Sequence, residues 1–87
     1  MTAKAGKEKE LEEAFVACQK ETRKEKGCMA YDINRGADRK YFFYEKWKNV
    51  DGLTDHVNAD HTKKLLAKFA DLLDGEAKID FLPVVGD

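Results

Sequence analysis

The chain has 87 residues, of which 43% are hydrophobic and 38% charged, with 16 basic and 17 acidic side chains and a formal net charge of -1. That length predicts one domain, residues 1–87, with a modest core that a partner often completes. The charge balance gives no electrostatic case for nucleic acid or an anionic membrane surface, and no apolar run nears the length of a membrane span.

The N-terminus, MTAKAGKEKE, is charged from residue 4 and has no signal-peptide pattern. Two cysteines, Cys18 and Cys28, do not make a disulfide framework. They fit a reducing cytoplasm as small apolar residues. Neither has a close His or a CxxC partner to lower its pKa.

Residues 7–26 read as a helix, with Leu11, Phe15, Cys18 and Thr22 forming one narrow apolar stripe. Gly27 is placed to end it as a C′ residue. CMAYDIN, Cys28 to Asn34, reads as a strand with Met29, Tyr31 and Ile33 on one face and Cys28 and Ala30 on the other. RGADR is a turn in which Gly36 can take positive φ and Asp38 is a common occupant. KYFFYEKWK completes a hairpin. Asn49 or Asp51 can cap the next helix. That helix carries Leu65, Leu66, Phe69, Leu72 and Leu73, with a break around Asn58 to Asp60 and an end at Gly75. The last segment, AKIDFLPVV, alternates as a strand, and Pro83 sets its end at an edge.

The order helix, strand, strand, helix, strand indicates an α+β fold. A strand within the opening MTAKA makes it β-α-β-β-α-β, the ferredoxin-like arrangement, with a truncated first strand. Both helical stripes can then cover one face of an antiparallel sheet. In YFFYEKW, Tyr41, Phe43, Glu45 and Trp47 share one face, while Phe42 and Tyr44 share the other. No element remains to cover the second face. Large apolar groups left in water forgo roughly 1.5–3 kcal/mol each. A contiguous patch of that kind marks an interface, so a second copy is expected against this face, with space for a ligand between the sheets. Glu45 is either a carboxylate at the sheet margin paired with Lys or Arg, or a desolvated acid that orients a His or binds substrate.

The ordered set GCMAYDINR, FFYEKW, LTDH, DHTKKLL and IDFLPV resembles the antibiotic biosynthesis monooxygenase domain, from about Ala3 to Val84. The resemblance implies a ferredoxin-like subunit, a homodimer whose sheets form an α/β barrel, and a pocket between sheet and helices. The family's Y-E-x-W pattern falls on Tyr44, Glu45 and Trp47, and its helical histidines fall on His56 and His61. Haem-degrading relatives carry a functional Asn on the first strand, and no such Asn stands here. Family members begin with a full first strand, of which MTAKA would be the remainder, either trimmed or very short.

The chemistry so implied is a cofactor-free oxygenation of a small aromatic or quinol-like ligand. A base removes a phenolic proton, the phenolate reduces oxygen, and an apolar cavity holds the oxygen. His56, then His61, are the candidate bases. Five residues apart, they sit about 140° from one another on a regular helix and cannot face one point without a break. That spacing also speaks against a metal pair, so no metal is expected. Trp47 can fill the core or donate its indole N–H to a substrate oxygen. Tyr31, Phe43, Tyr44, Phe81 and Met29 are candidate ligand contacts, although packing is the ordinary role of Tyr31, Phe43, Phe81 and Met29. The alternatives are an isomerase of small oxygenated metabolites on the same scaffold, or a non-catalytic ligand-binding or stress protein.

Overall fold

The computed structural model describes residues 1–83, 85 and 86. Val84, the end of the stretch resembling the monooxygenase domain and part of the anticipated last strand, lies outside the described residues. The elements are α1 (Glu8–Thr22), β1 (Cys28–Arg35), β2 (Tyr41–Trp47), α2 (Val50–Asn58) and α3 (Asp60–Leu72). β1 and β2 form an antiparallel hairpin, with Tyr31 opposite Glu45, Ile33 opposite Phe43 and Arg35 opposite Tyr41.

The N-terminal segment lies on the far side of β2. Thr2 bridges Lys40 and Ala3 bridges Leu73, both antiparallel. The Tyr41 N–H donates to Met1 O and the Asp74 N–H donates to Thr2 O, each at 2.8 Å. The spatial order is β1, β2, N-terminal segment, Leu73. This is the ferredoxin-like order with its two remaining strands reduced to bridges.

That reduction explains why residues 77–83 form no strand, contrary to the expectation from AKIDFLPVV. Their partner in this sheet order would be the N-terminal segment, whose pairing is used up by Leu73 and Asp74. Gly75, at φ +86°, then turns the chain away. Ile79, Phe81 and Leu82 are exposed, and only Ala77 packs partly against the core.

The core lies between the sheet and the helices. Leu11, Ala14, Phe15, Cys18 and Thr22 of α1 are buried, as the stripe predicts. They meet Tyr31 and Tyr41 of the sheet and Leu65, Leu72 and Leu73 from α3 and its end. Leu66, placed in the apolar stripe by sequence, points outward and is half-exposed. Phe15 is the hub, with ring centroids 5.6 Å from Tyr41, 4.8 Å from Phe43 and 6.4 Å from Phe69, all edge-to-face.

Two local readings change. The register shifts between Cys28 and Ala30, so the strand bulges there. A bulge swaps the faces on either side of it. Met29, expected on the core face, is therefore exposed, and Cys28 takes the inward position. In the hairpin turn the positive φ angles belong to Asp38 (55°) and Arg39 (62°), not Gly36. Gly36 is small because the Phe42 ring would lie 2.9 Å from a Cβ there. On the outer sheet face Phe42 and Tyr44 stand exposed, as the alternation requires.

At the β1 edge, Arg35 donates to Glu12 through Nε (2.8 Å) and a terminal nitrogen (2.6 Å), and the Tyr41 hydroxyl also donates to Glu12. These bonds, Arg35 first, hold the Glu12 carboxyl below its ordinary value of 4.5. A depressed folded pKa stabilises the fold above the unfolded value, and that contribution disappears as pH falls through the folded pKa. Glu12→Gln is therefore expected to lower stability at neutral pH and to flatten the acid limb below about pH 4.5. Urea midpoints between neutral and acidic pH check this, and parallel curves for the two proteins would refute it.

Candidate functional site

Two histidines five residues apart cannot share a focus on one straight helix. The chain resolves this by breaking the helix at Ala59, whose φ and ψ of -70° and 146° are extended. Asn49 caps α2, its side chain accepting from the Gly52 N–H at 2.9 Å. α2 carries His56 and α3 carries His61, and both rings turn toward one carboxylate, Glu25. Glu25 Oε2 lies 2.7 Å from His56 Nδ1 and 2.8 Å from His61 Nε2.

Glu25 is the residue that sequence reasoning missed. α1 ends at Thr22, not at residue 26, and the chain continues as turns, with the Glu25 N–H donating to Thr22 O and the Cys28 N–H donating to Glu25 O. Those turns keep Glu25 on the line of the buried stripe. Leu11, Phe15, Cys18 and Thr22 step by four, three and four, and the next step of three is Glu25. An acid continuing an apolar stripe was the available signal.

His56 is buried, its side chain 5% exposed. The Trp47 ring lies against it at 4.7 Å and 32°, and Tyr31 meets it edge-on at 5.5 Å. Glu45 Oε1 is 3.7 Å from His56 Nε2 and accepts the Trp47 indole N–H at 3.0 Å. The Thr62 hydroxyl sits 3.2 Å from Nδ1 and 3.5 Å from Nε2 of the same ring. Glu45 thus orients a Trp and faces a His, and no Lys or Arg pairs with it among the described residues.

A carboxylate oxygen only accepts, so each ring presents an N–H to Glu25. In its neutral form His56 then carries its proton on Nδ1, and Nε2, facing Glu45 and Trp47, holds a lone pair. A carboxylate behind one ring nitrogen and a lone pair on the other is the arrangement of an oriented general base. Tyr31 is not an acid in this setting. Burial, then its contact with Cys18, pushes its hydroxyl far above the ordinary tyrosine range. Burial, then the Glu25 charge, likewise raises the Cys28 thiol, which keeps it protonated.

Of the candidate residues, the structure gathers His56, His61, Glu45, Trp47 and Tyr31, and Phe43 sits edge-on to Tyr31 at 5.6 Å. Met29 and Tyr44 stand apart on the exposed side of the sheet, and Phe81 stands apart in the exposed C-terminal segment. Two grooves lie elsewhere. One of about 320 Å³ runs between α1 and α3 over Ala14, Ala17 and Leu72, and one of about 210 Å³ lies beside Glu12 and Arg35. Neither includes the histidine cluster. The cluster opens to solvent through Glu25, His61 and Glu45, whose side chains are 15%, 21% and 27% exposed.

A backbone contact sets the position of α2. A Cβ on Gly27 would lie 2.8 Å from the Gly52 Cα, and one on Gly52 would lie 3.1 Å from the Gly27 Cα. The chain after Glu25 therefore touches the first turn of α2. Gly27→Ala is expected to destabilise the fold by about 1–3 kcal/mol and to move His56 away from Glu25. A denaturant midpoint and the imidazole NMR signals report the two effects. An unchanged midpoint with unchanged signals would show that the contact is slack.

The family model described as antibiotic biosynthesis monooxygenase matches residues 1–68. Among solved structures, a conserved protein from Methanosarcina mazei Go1 is similar at 27% identity and TM-score 0.85, over 91% of this chain and 80% of that one. The PA3566 protein from Pseudomonas aeruginosa is similar at 26% identity and TM-score 0.79, over 86% and 78%. Rv0793 from Mycobacterium tuberculosis shares the fold at 21% identity and TM-score 0.83, over 98% and 91%. No curated protein matches the chain.

Proposed function

Because this chain belongs to the antibiotic biosynthesis monooxygenase family, we propose that it is a cofactor-independent monooxygenase of a small phenolic or quinol substrate, with His56 as its base. The observation that carries this reading is the ring of His56, held by Glu25 at Nδ1 with Nε2 turned toward Trp47 and Glu45.

The substrate phenol gives its proton to His56 Nε2. The phenolate, far more reducing than the phenol, passes one electron to dioxygen. The substrate radical and superoxide join at a ring C–H carbon to form a C–O bond. Loss of water, with cleavage of the O–O bond, leaves the quinone. One phenol and one dioxygen become one quinone and one water, so no outside reductant is needed. The positive ring formed at His56 sits between two carboxylates, Glu25 and Glu45, and is stabilised by both. Tyr31, buried, backs the His56 ring, and Trp47, partly exposed beside it, is the apolar face offered to a flat aromatic substrate. His61 shares Glu25 and is the reserve base.

A homodimer belongs to the same proposal. Phe42, Tyr44 and Met29 form an exposed apolar set on and beside the outer sheet face, which a second copy would cover. Two free cysteines are consistent with work in a reducing cytoplasm. No helix among the described residues is long and apolar enough to cross a membrane.

An oxygen electrode with a panel of dihydroxynaphthalenes and naphthoquinols tests the reaction. The expected result is dioxygen uptake equal to quinone formed, without hydrogen peroxide. Substrate conversion with no dioxygen uptake would replace this reading with an isomerase. Binding without conversion would leave a ligand carrier.

A further inference from the structure

We propose that Glu25, His56 and His61 form a binding site for a divalent first-row cation of the zinc class, a role separate from proton transfer. One ligand atom from each residue lies within 4.8 Å of the other two. Two imidazoles and a carboxylate are a donor set that suits zinc, cobalt and nickel better than calcium or magnesium. Bond lengths of about 2.0–2.1 Å in tetrahedral geometry put ligand atoms about 3.4 Å apart. To reach that spacing the 2.7 and 2.8 Å contacts from Glu25 open by about 0.6 Å, and the two ring nitrogens, which lie within 4.8 Å of each other, draw together.

The five-residue spacing that speaks against a metal pair on a straight helix loses its force here, because the break at Ala59 converges the rings. The surroundings are also those of a metal site. A ring ligating through Nδ1 carries its proton on Nε2 and needs an acceptor there. Glu45 Oε1 stands 3.7 Å from that nitrogen and is itself fixed by the Trp47 indole N–H. Carboxylate, histidine and cation in line is the usual second support of a ligating imidazole. The partial exposure of Glu25 and His61 leaves a side for water as fourth ligand.

Cation binding and proton abstraction exclude one another. A cation on Nδ1 moves the ring proton to Nε2 and removes the lone pair that would accept from a phenol. Loading therefore switches the proposed base off. The binding itself does not depend on the reaction, and its test needs no turnover.

The untagged, metal-free chain is titrated with zinc chloride and followed by the imidazole C–H signals in proton NMR. The sequence contains only two histidines, so the assignment is closed. Both rings are expected to shift together and to saturate at one zinc per chain, at micromolar zinc or below. Cobalt chloride is expected to give an intense visible band of four-coordinate cobalt. Glu25→Gln is expected to weaken zinc binding at least tenfold, while Glu10→Gln, on exposed α1 surface, leaves it unchanged. The proposal is overturned if only one ring responds, if neither does at equimolar zinc, or if a folded Glu25→Gln binds within twofold of the wild type. Should Glu25→Gln fail to fold, the paired response of the wild-type rings decides alone. Absence of turnover together with a paired zinc response would discard the oxygenase reading and keep the site.

Discussion

His56→Ala is expected to lower turnover of a responsive dihydroxynaphthalene by a factor of about 10²–10⁴, the usual worth of a positioned general base. The effect should fall on kcat, since the ring acts on the proton lost in the reaction and contributes little area for binding. Loss of the ring also leaves Glu25 with one partner in place of two, and Trp47 loses the surface it lies against. The variant will therefore be somewhat less stable, and its rate must be measured where it is folded. His56→Gln is a useful companion, because it retains a hydrogen-bonding group beside Glu25 but offers no comparable base. If the Ala and Gln variants keep more than a tenth of wild-type kcat, His56 is not the base. A large fall for His61→Ala alone would then move the role to its neighbour on α3.

Phe15→Ala is the substitution expected to harm the fold most. Phe15 is 1% exposed and meets Tyr41, Phe43 and Phe69 edge-to-face, so it joins α1, β2 and α3 at one point. Emptying such a site costs about 3–5 kcal/mol, from lost burial and from the cavity left behind. Small domains are stable by about 5–15 kcal/mol, and a chain of 87 residues lies toward the lower part of that range. The variant should keep only a small remainder of the wild-type stability, whereas Phe15→Leu should lose about 1–1.5 kcal/mol. Urea midpoints at constant m-value measure both. A loss below about 1 kcal/mol for the Ala variant would mean that the three aromatic contacts relax into the space.

What the sequence made legible was whatever depended on periodicity and capping. The stripe Leu11, Phe15, Cys18, Thr22 is buried, Asn49 is the cap of α2, and the chain breaks between Asn58 and Asp60. The outer-face exposure of Phe42 and Tyr44 follows from simple alternation. What depended on three-dimensional proximity was hidden. In sequence the apolar stripe ends at Thr22, and Glu25, three residues on, is one acid among the many charges of residues 7–26. Simple alternation puts Met29 on the core face, and the bulge that reverses this leaves no mark in residue type. Gly27 has the residue type of a helix terminator, while its smallness serves the contact with Gly52. The alternation of Ile79 and Phe81 is that of a strand, yet a strand needs a neighbour, and Leu73 and Asp74 have taken the one available. The distance between His56 and His61 along the chain was informative in an inverted sense. It ruled out a shared focus on one helix, and the fold answers with two helices.

In the proposed site Glu25 holds two rings, and one nitrogen of His56 stays free. Long-range nitrogen–proton NMR of the metal-free protein, labelled at its two histidines, reads this directly. The prediction for the neutral rings is a proton on Nδ1 of His56 and on Nε2 of His61, with His56 Nε2 bare. A His56 ring protonated on Nε2 and bare at Nδ1 would contradict it, since Glu25 would then face a lone pair and Nε2, the nitrogen assigned to the substrate proton, would have none with which to accept it.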